Sequence, residues 1–297
     1  MAAALIGGVY AAVSAATGSG PPGSAPGARG TQSASSTPPP PPRPVRLPVG
    51  TIGGYAVARE PLTLTERSAA GPRVLRTVVR YPVIPHRAAG APPLVRGLFP
   101  LVVFAPGYLQ CDGSYGSLLR AWASAGYVVA AVNFPVTNCQ VEGPERDLVN
   151  QPRDMAFVIS RLLAISGQQH NALYGLVDPA QVAVAGHSDG GDTVAALVAN
   201  TCCFDRKVTA AIILSGAESP YPLRGSYFPE GTPPILFVQG SADTISPPSA
   251  SLQMYQADRT GPRFYLNLFG ASHLPPYEGS QPPEPLVARV TTEFLNR

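Results

Sequence analysis

A chain of 297 residues, 45% hydrophobic and 13% charged, is long enough for one sheet covered on both faces. Its formal charge is only +3, Lys207 is the sole Lys, and the Arg residues are scattered. That excludes the basic stripe on which binding to a phosphate backbone depends, so nucleic acid is not an expected partner.

Residues 1–20 carry no charged side chain and are mostly small or apolar. They read as a signal peptide or a membrane-anchor-like segment, although a basic n-region is missing and Gly7, Gly8 and Ser14 interrupt the apolar stretch. The stretch is also shorter than the roughly 20 apolar residues of a spanning helix. Residues 21–50 are rich in Pro, Ser and Gly, with an unbroken Pro run over 38–42. Such a segment buries too little apolar surface to offset the entropy of ordering it, and reads as a disordered linker. The expected domain is therefore 51–297, in a protein secreted or anchored at the cell envelope, with the N-terminus as its membrane tether. The alternative is a disordered, Ala-rich start to a cytoplasmic protein.

Past the linker, strand and helix patterns alternate. Tyr55–Glu60 and Val74–Tyr81 have no helix between them and read as an antiparallel hairpin at one edge. Phe99–Phe104, Val128–Asn133, Val182–Ala185, Ala210–Leu214, Ile235–Gln239 and Phe264–Leu268 are short apolar runs, the pattern of strands buried on both faces of a parallel sheet. Between them Leu118, Leu119 and Trp122 share one helical face, and Met155, Ile159, Leu162 and Leu163 share another behind Pro152. A last helix starts near Pro285 and is expected to present Leu286, Val290 and Phe294. The fold class is α/β: a mostly parallel sheet, helices on both faces, an antiparallel N-terminal edge.

Val182–Ala185 runs into Gly186-His187-Ser188-Asp189-Gly190-Gly191, and a helical run follows. This is G-x-S-x-G in a strand, turn and helix setting, which lifts the Ser188 hydroxyl off the sheet on a strained turn at a helix N-terminus. Taken alone the motif is common, and an ordinary turn with a capping Ser is the bland alternative. On such elbows the chain order is Ser, then an acid, then His. Only His273 follows Ser188 among the four His; His187 is expected to pack on the outer side of the elbow. Of the seven carboxylates in between, Asp189 and Asp192 belong to the elbow and its helix. Asp243 follows the strand Ile235–Gln239, where the acid belongs, and Glu218 is the second candidate. Ser188, Asp243 and His273 are thus the expected catalytic residues.

A hydrolytic site also needs two backbone N–H groups for the oxyanion. One is that of Asp189, after the nucleophile. The other is expected from Tyr108, behind the Pro106-Gly107 turn, with Leu109 as the fallback. Cys111 and Cys139 each lie just past a strand end, so a disulfide across the top of the sheet is conceivable. Cys202 and Cys203 are adjacent and not expected to pair without strain. No Cys/His spacing suggests a metal site.

The ordered motifs Phe104-Ala105-Pro106-Gly107-Tyr108, Gly186–Gly191, Gly240-Ser241-Ala242-Asp243-Thr244-Ile245-Ser246-Pro247 and Gly270-Ala271-Ser272-His273 resemble the α/β-hydrolases. Within them the chain looks like the bacterial dienelactone-hydrolase-like and polyester-hydrolase (cutinase-like) branch, with similarity to chlorophyllases and platelet-activating-factor acetylhydrolase-like proteins. The resemblance covers residues 74–297. It implies hydrolysis of small-molecule or lipid carboxylic esters without metal or organic cofactor, and gives Tyr108 a second role as a wall of the acyl groove. Leu109 and Tyr221 are further candidates for contact with substrate. Two departures matter. The polyester hydrolases carry a Trp where this chain reads Leu214-Ser215-Gly216-Ala217, so efficient polyester cleavage is not expected; dienelactone hydrolases proper use Cys where Ser188 stands. The expected activity is hydrolysis of short- to medium-chain acyl esters, with a peptidase or amidase using the same three residues, or a non-catalytic binding protein, as alternatives. Nothing in the sequence fixes an oligomeric state.

Overall fold

The computed structural model describes residues 46–68, 71–83, 98–219, 221–229, 231–279 and 282–297. The expected segment 1–20 and most of the 21–50 linker lie outside these residues. The last five linker positions are described and lie against the domain: the Leu47 N–H donates to the Leu98 carbonyl and the Gly50 N–H to that of Ala125.

The elements follow in the order β1 (Val57–Ser68), β2 (Gly71–Pro82), β3 (Phe99–Ala105), α1 (Gly116–Ser124), β4 (Val128–Asn133), α2 (Gln151–Ser166), β5 (Val177–His187), α3 (Asp189–Ala199), β6 (Ala210–Leu214), β7 (Ile235–Gly240), α4 (Pro248–Ala257), β8 (Arg263–Leu268) and α5 (Glu284–Leu295). A 3-10 turn, Glu145–Asn150, leads into α2. The eight strands form one sheet ordered β1-β2-β4-β3-β5-β6-β7-β8. β2 pairs antiparallel with β1 and β4, and every other pair is parallel. This is the α/β architecture expected from the sequence, with its antiparallel N-terminal edge.

The period-2 rule splits each central strand between two cores. Leu101, Val103 and Ala105 of β3 join one cluster with Met155, Ile159, Leu162, Val194 and Met254, from α2, α3 and α4. Val102 and Phe104 join the other with Leu118, Trp122, Val287 and Phe294, from α1 and α5. Burial on both sides is why these strands read as unbroken apolar runs. Strand order reverses at β3, between β4 and β5, and the crevice outside the carboxyl ends of β3 and β5 is where such sheets hold ligands.

Two helices depart from expectation. α5 turns Val287, Ala288, Thr291 and Phe294 inward and leaves Leu286 40% exposed. The reason is Trp122, whose Nε1–H donates to the Thr291 hydroxyl at 2.8 Å. That hydroxyl donates to the Val287 carbonyl at 2.6 Å, so Thr291 is buried with its polar atom satisfied. α4 buries only Ser251 and Met254, too sparse a pattern to show a period in the sequence.

An ion-pair cluster clamps β2 to α2. Arg73 donates to both oxygens of Asp154 at 2.8 and 2.6 Å and to both of Asp147 at 3.0 and 2.8 Å. Asp154 is fully buried. Arg73→Ala strands two buried carboxylates, which typically costs 3–5 kcal/mol. We therefore expect about 3 kcal/mol of destabilisation in urea unfolding followed by circular dichroism, and a loss below about 1 kcal/mol would show the clamp to be incidental.

Candidate active site

β5 ends at His187 and α3 begins at Asp189, so Ser188 alone makes the turn between them. It does so at φ 54°, ψ −124°, a left-handed backbone for a non-Gly residue and a strain of about 1–3 kcal/mol. Two glycines make the turn tight. A Cβ on Gly186 would run into the Gly190 carbonyl, and one on Gly190 into that of Ala105. Strand and helix therefore approach more closely than any other residue pair would allow. The turn is anchored by the Ser188 N–H donating to the Leu214 carbonyl on the neighbouring β6 at 3.0 Å.

β7 and β8 are paired neighbours, so the loops leaving their ends run side by side. The Ala242 N–H donates to the Ala271 carbonyl at 2.9 Å, and the Gly270 N–H to the Ser241 hydroxyl at 2.8 Å. This zipper brings Asp243 to His273, with Nδ1 to Oδ2 at 2.7 Å. The other Asp243 oxygen accepts the N–H groups of Ile245 and Ser246, each at 2.9 Å. Burial alone would raise the Asp243 pKa. The bonds from His273, Ser246 and Ile245 outweigh it and hold the carboxyl below the usual carboxylate range. An ionised Asp243 can only accept, so Nδ1 of His273 carries the proton and Nε2 is left with its lone pair.

Ser188, His273, Tyr108 and Asp189 line one cavity of about 290 Å³, together with Gly107, Gln110, Glu145, His187, Ile245 and Leu274. The expected acid and base are thus bonded, and the expected nucleophile shares a cavity with the base. Glu218 instead faces a separate hollow with Ala217, Ala250 and Gln253. Two further expectations need correction. The Leu109 N–H donates to the Thr137 carbonyl at 2.9 Å, so it is not a free oxyanion donor, and Leu109 does not line the cavity. Tyr221 is 83% exposed and lies outside the cavity as well. Phe228, further along the same segment, packs into the core.

His187 does pack, but inward rather than on the outer side. Its ring lies 4.6 Å from that of His273 and 4.7 Å from that of Tyr277, centroid to centroid. Burial first, and then the nearby His273, push its pKa down to about 3, so it stays neutral. Nε2–H donates to the His273 carbonyl at 3.1 Å, which leaves Nδ1 to accept from the Tyr115 hydroxyl at 2.9 Å. That hydroxyl in turn accepts the Gly107 N–H at 3.1 Å. One buried imidazole therefore ties the backbone of the base to the loop that presents Tyr108. The adjacency of His187 to Ser188 in sequence gave no sign of this, because both partners are distant in the chain.

Cys111 and Cys139 are joined, with Cα atoms 5.4 Å apart, and the bridge ties the loop after β3 to the loop after β4. The Tyr108 hydroxyl donates to the Gly143 carbonyl at 2.9 Å across the same gap. Against expectation, Cys202 and Cys203 are joined too. A turn held by Asn200, whose side chain accepts the Cys202 N–H at 2.9 Å and whose carbonyl accepts the Cys203 N–H at 3.2 Å, sets the two residues up for pairing.

Acidic side chains crowd the elbow. Burial, then the charge of Glu145, pushes Asp189 up to about 7. Burial likewise pushes Asp192 up to about 8, although it accepts the Ala217 N–H at 2.7 Å. Glu145, Gln110, Ile245 and Leu274 were not singled out from the sequence. Of these only Ile245 falls in one of the ordered motifs.

A protein family described as PET hydrolase-like matches residues 91–297. The chain is also 28% identical over 204 residues to the bis(hydroxyethyl) terephthalate hydrolase of Streptomyces coelicolor. That alignment takes in 68% of this chain and 57% of the relative's own length.

Proposed function

Because the chain belongs to the PET hydrolase-like family of the α/β-hydrolases, we propose that it is a serine carboxylic-ester hydrolase acting on short- to medium-chain acyl esters. The observation that carries this reading is the 2.7 Å bond from His273 to Asp243, beside a Ser188 held on a strained elbow in the same cavity.

In this mechanism the Ser188 oxygen attacks the ester carbonyl while its proton passes to Nε2 of His273. The carbonyl π electrons move onto oxygen, and the backbone N–H groups of Tyr108 and Asp189 stabilise that oxyanion. When the tetrahedral carbon collapses, the C–O bond to the alcohol breaks and the imidazolium gives its proton to the departing alkoxide. Water then repeats the sequence on the acyl-enzyme, returning the acid and a free Ser188. Asp243 keeps the proton on Nδ1 throughout and stabilises the imidazolium.

A cavity of about 290 Å³ sits at the lower end of the usual range for ligand sites, which favours short acyl chains. The single Trp is buried against α5 and does not line the cavity, so soluble esters fit this site better than an aromatic polymer. Pairing of all four Cys suits an oxidising, extracytoplasmic location.

The test is a series of 4-nitrophenyl esters from acetate to palmitate, followed by labelling with diethyl 4-nitrophenyl phosphate. We expect kcat/KM to peak at or below octanoate, and a single phosphoryl adduct on the Ser188 peptide that abolishes turnover. Folded protein inert to every ester, or an adduct elsewhere with activity lost, overturns the proposal.

A further inference from the structure

Resting on that esterase reading, we infer that the site selects neutral or cationic esters and turns away esters that carry a carboxylate near the scissile bond, with the Glu145 charge doing the selecting. The cavity that holds Ser188 and His273 is lined by two acidic side chains, and among the described residues no Lys or Arg lines it. The two come from different elements. Asp189 is the first residue of α3, directly after the nucleophile, and is buried, with 9% relative exposure. Glu145 opens the 3-10 turn before α2 and stands exposed at the rim.

Asp189 feels Glu145, whose charge is the second cause, after burial, that keeps it reluctant to ionise. A third carboxyl, Asp192, lies one helical turn behind and feels both. One Asp189 oxygen is buried with no hydrogen-bond partner. Among the described residues no counter-charge lines the cavity beside this pair: Arg146 follows Glu145 in the chain but is not part of the lining.

A cavity this small keeps any charge on a bound ester within about a Debye length of both carboxyls. Like charges at that range, in a site with low-dielectric walls, repel in the ground state and through the whole reaction. The nucleophile itself needs no acidic neighbour. Its transition state carries an oxyanion, which Asp189 serves with its backbone N–H, while the Glu145 charge at the rim opposes any further negative charge.

The experiment compares methyl 4-acetoxybenzoate with 4-acetoxybenzoate, which share the acetyl group and differ by a carboxylate on the leaving phenol. Each kcat/KM is divided by the rate constant for hydroxide hydrolysis, to remove the difference in leaving group. We expect the wild-type enzyme to favour the neutral ester by about tenfold at low ionic strength, a charge effect at partly screened range. Glu145→Gln should lower that ratio about fivefold and Glu145→Lys further still, and raising NaCl to about 0.5 M should lower it in the wild type but not in Glu145→Gln. A ratio that is the same in all three proteins and at both salt concentrations overturns the selection while leaving the esterase reading intact. Folded wild-type protein that cleaves neither ester overturns the esterase reading, and the selection with it.

Discussion

Ser188→Ala is expected to lower kcat on 4-nitrophenyl butyrate by about 10⁶-fold, with the far-ultraviolet circular dichroism and the thermal midpoint of the wild type preserved. The size follows from what is removed. Without the hydroxyl no acyl-enzyme forms, and His273 and Asp243 have nothing to activate. What remains is the binding of the ester and whatever the N–H groups of Tyr108 and Asp189 contribute to direct attack by water. The fold should be indifferent, because the elbow strain at φ 54° belongs to the backbone and Ala adopts that angle at much the same cost as Ser. A loss smaller than about a hundredfold would mean that another group carries the reaction, and the mechanism above would fall.

The second large effect is expected at Asp243. Asp243→Asn should cost about 10⁴-fold in kcat, the loss typical of a triad whose imidazole is held in the wrong tautomer. Asn keeps one oxygen for the N–H groups of Ile245 and Ser246 and places an NH₂ where Oδ2 met the ring. That NH₂ can only donate, so Nδ1 must accept, and the imidazole proton moves to Nε2, where Ser188 needs a lone pair. Gln239, whose side-chain NH₂ donates to the same Oδ2 at 3.2 Å, loses that bond but keeps the Ser246 carbonyl at 3.0 Å. Steady-state kinetics beside a thermal melt separates the two consequences. The rate should fall by four orders of magnitude, while the one bond lost by Gln239 costs only about 1 kcal/mol of stability. A fall in kcat of less than tenfold would show that Asp243 braces the loop without orienting the base.

Much of the framework could be read from residues alone, for a physical reason. Strands covered on both faces have to be apolar throughout, and β4 and β6 coincide with the runs Val128–Asn133 and Ala210–Leu214. The elbow was legible because few sequences satisfy its steric demands, and the order rule then left His273 as the one candidate base. What escaped reading depends on contacts between distant segments. The inward face of α5 is set by Trp122 through a Thr that no hydrophobic pattern would choose. The role of His187 depends on Tyr115 and on the His273 carbonyl, and the unavailability of Leu109 on the Thr137 carbonyl. Glu145 reaches the site through the course of the loop after β4, and nothing about a lone Glu before a helix announces that.

The N-terminal hairpin has a bearing on how the molecule behaves in company. β1 ends the sheet on one side, so one row of its backbone groups faces outward as a template for a foreign strand. Along that strand the chain places Arg59, Glu60, Pro61, Glu66 and Arg67. Pro61 has no N–H to offer an intruder, and the exposed Arg59 and Arg67 would have to be desolvated before a second copy could zip on. This edge of the sheet is thus guarded against a second copy by its own residues.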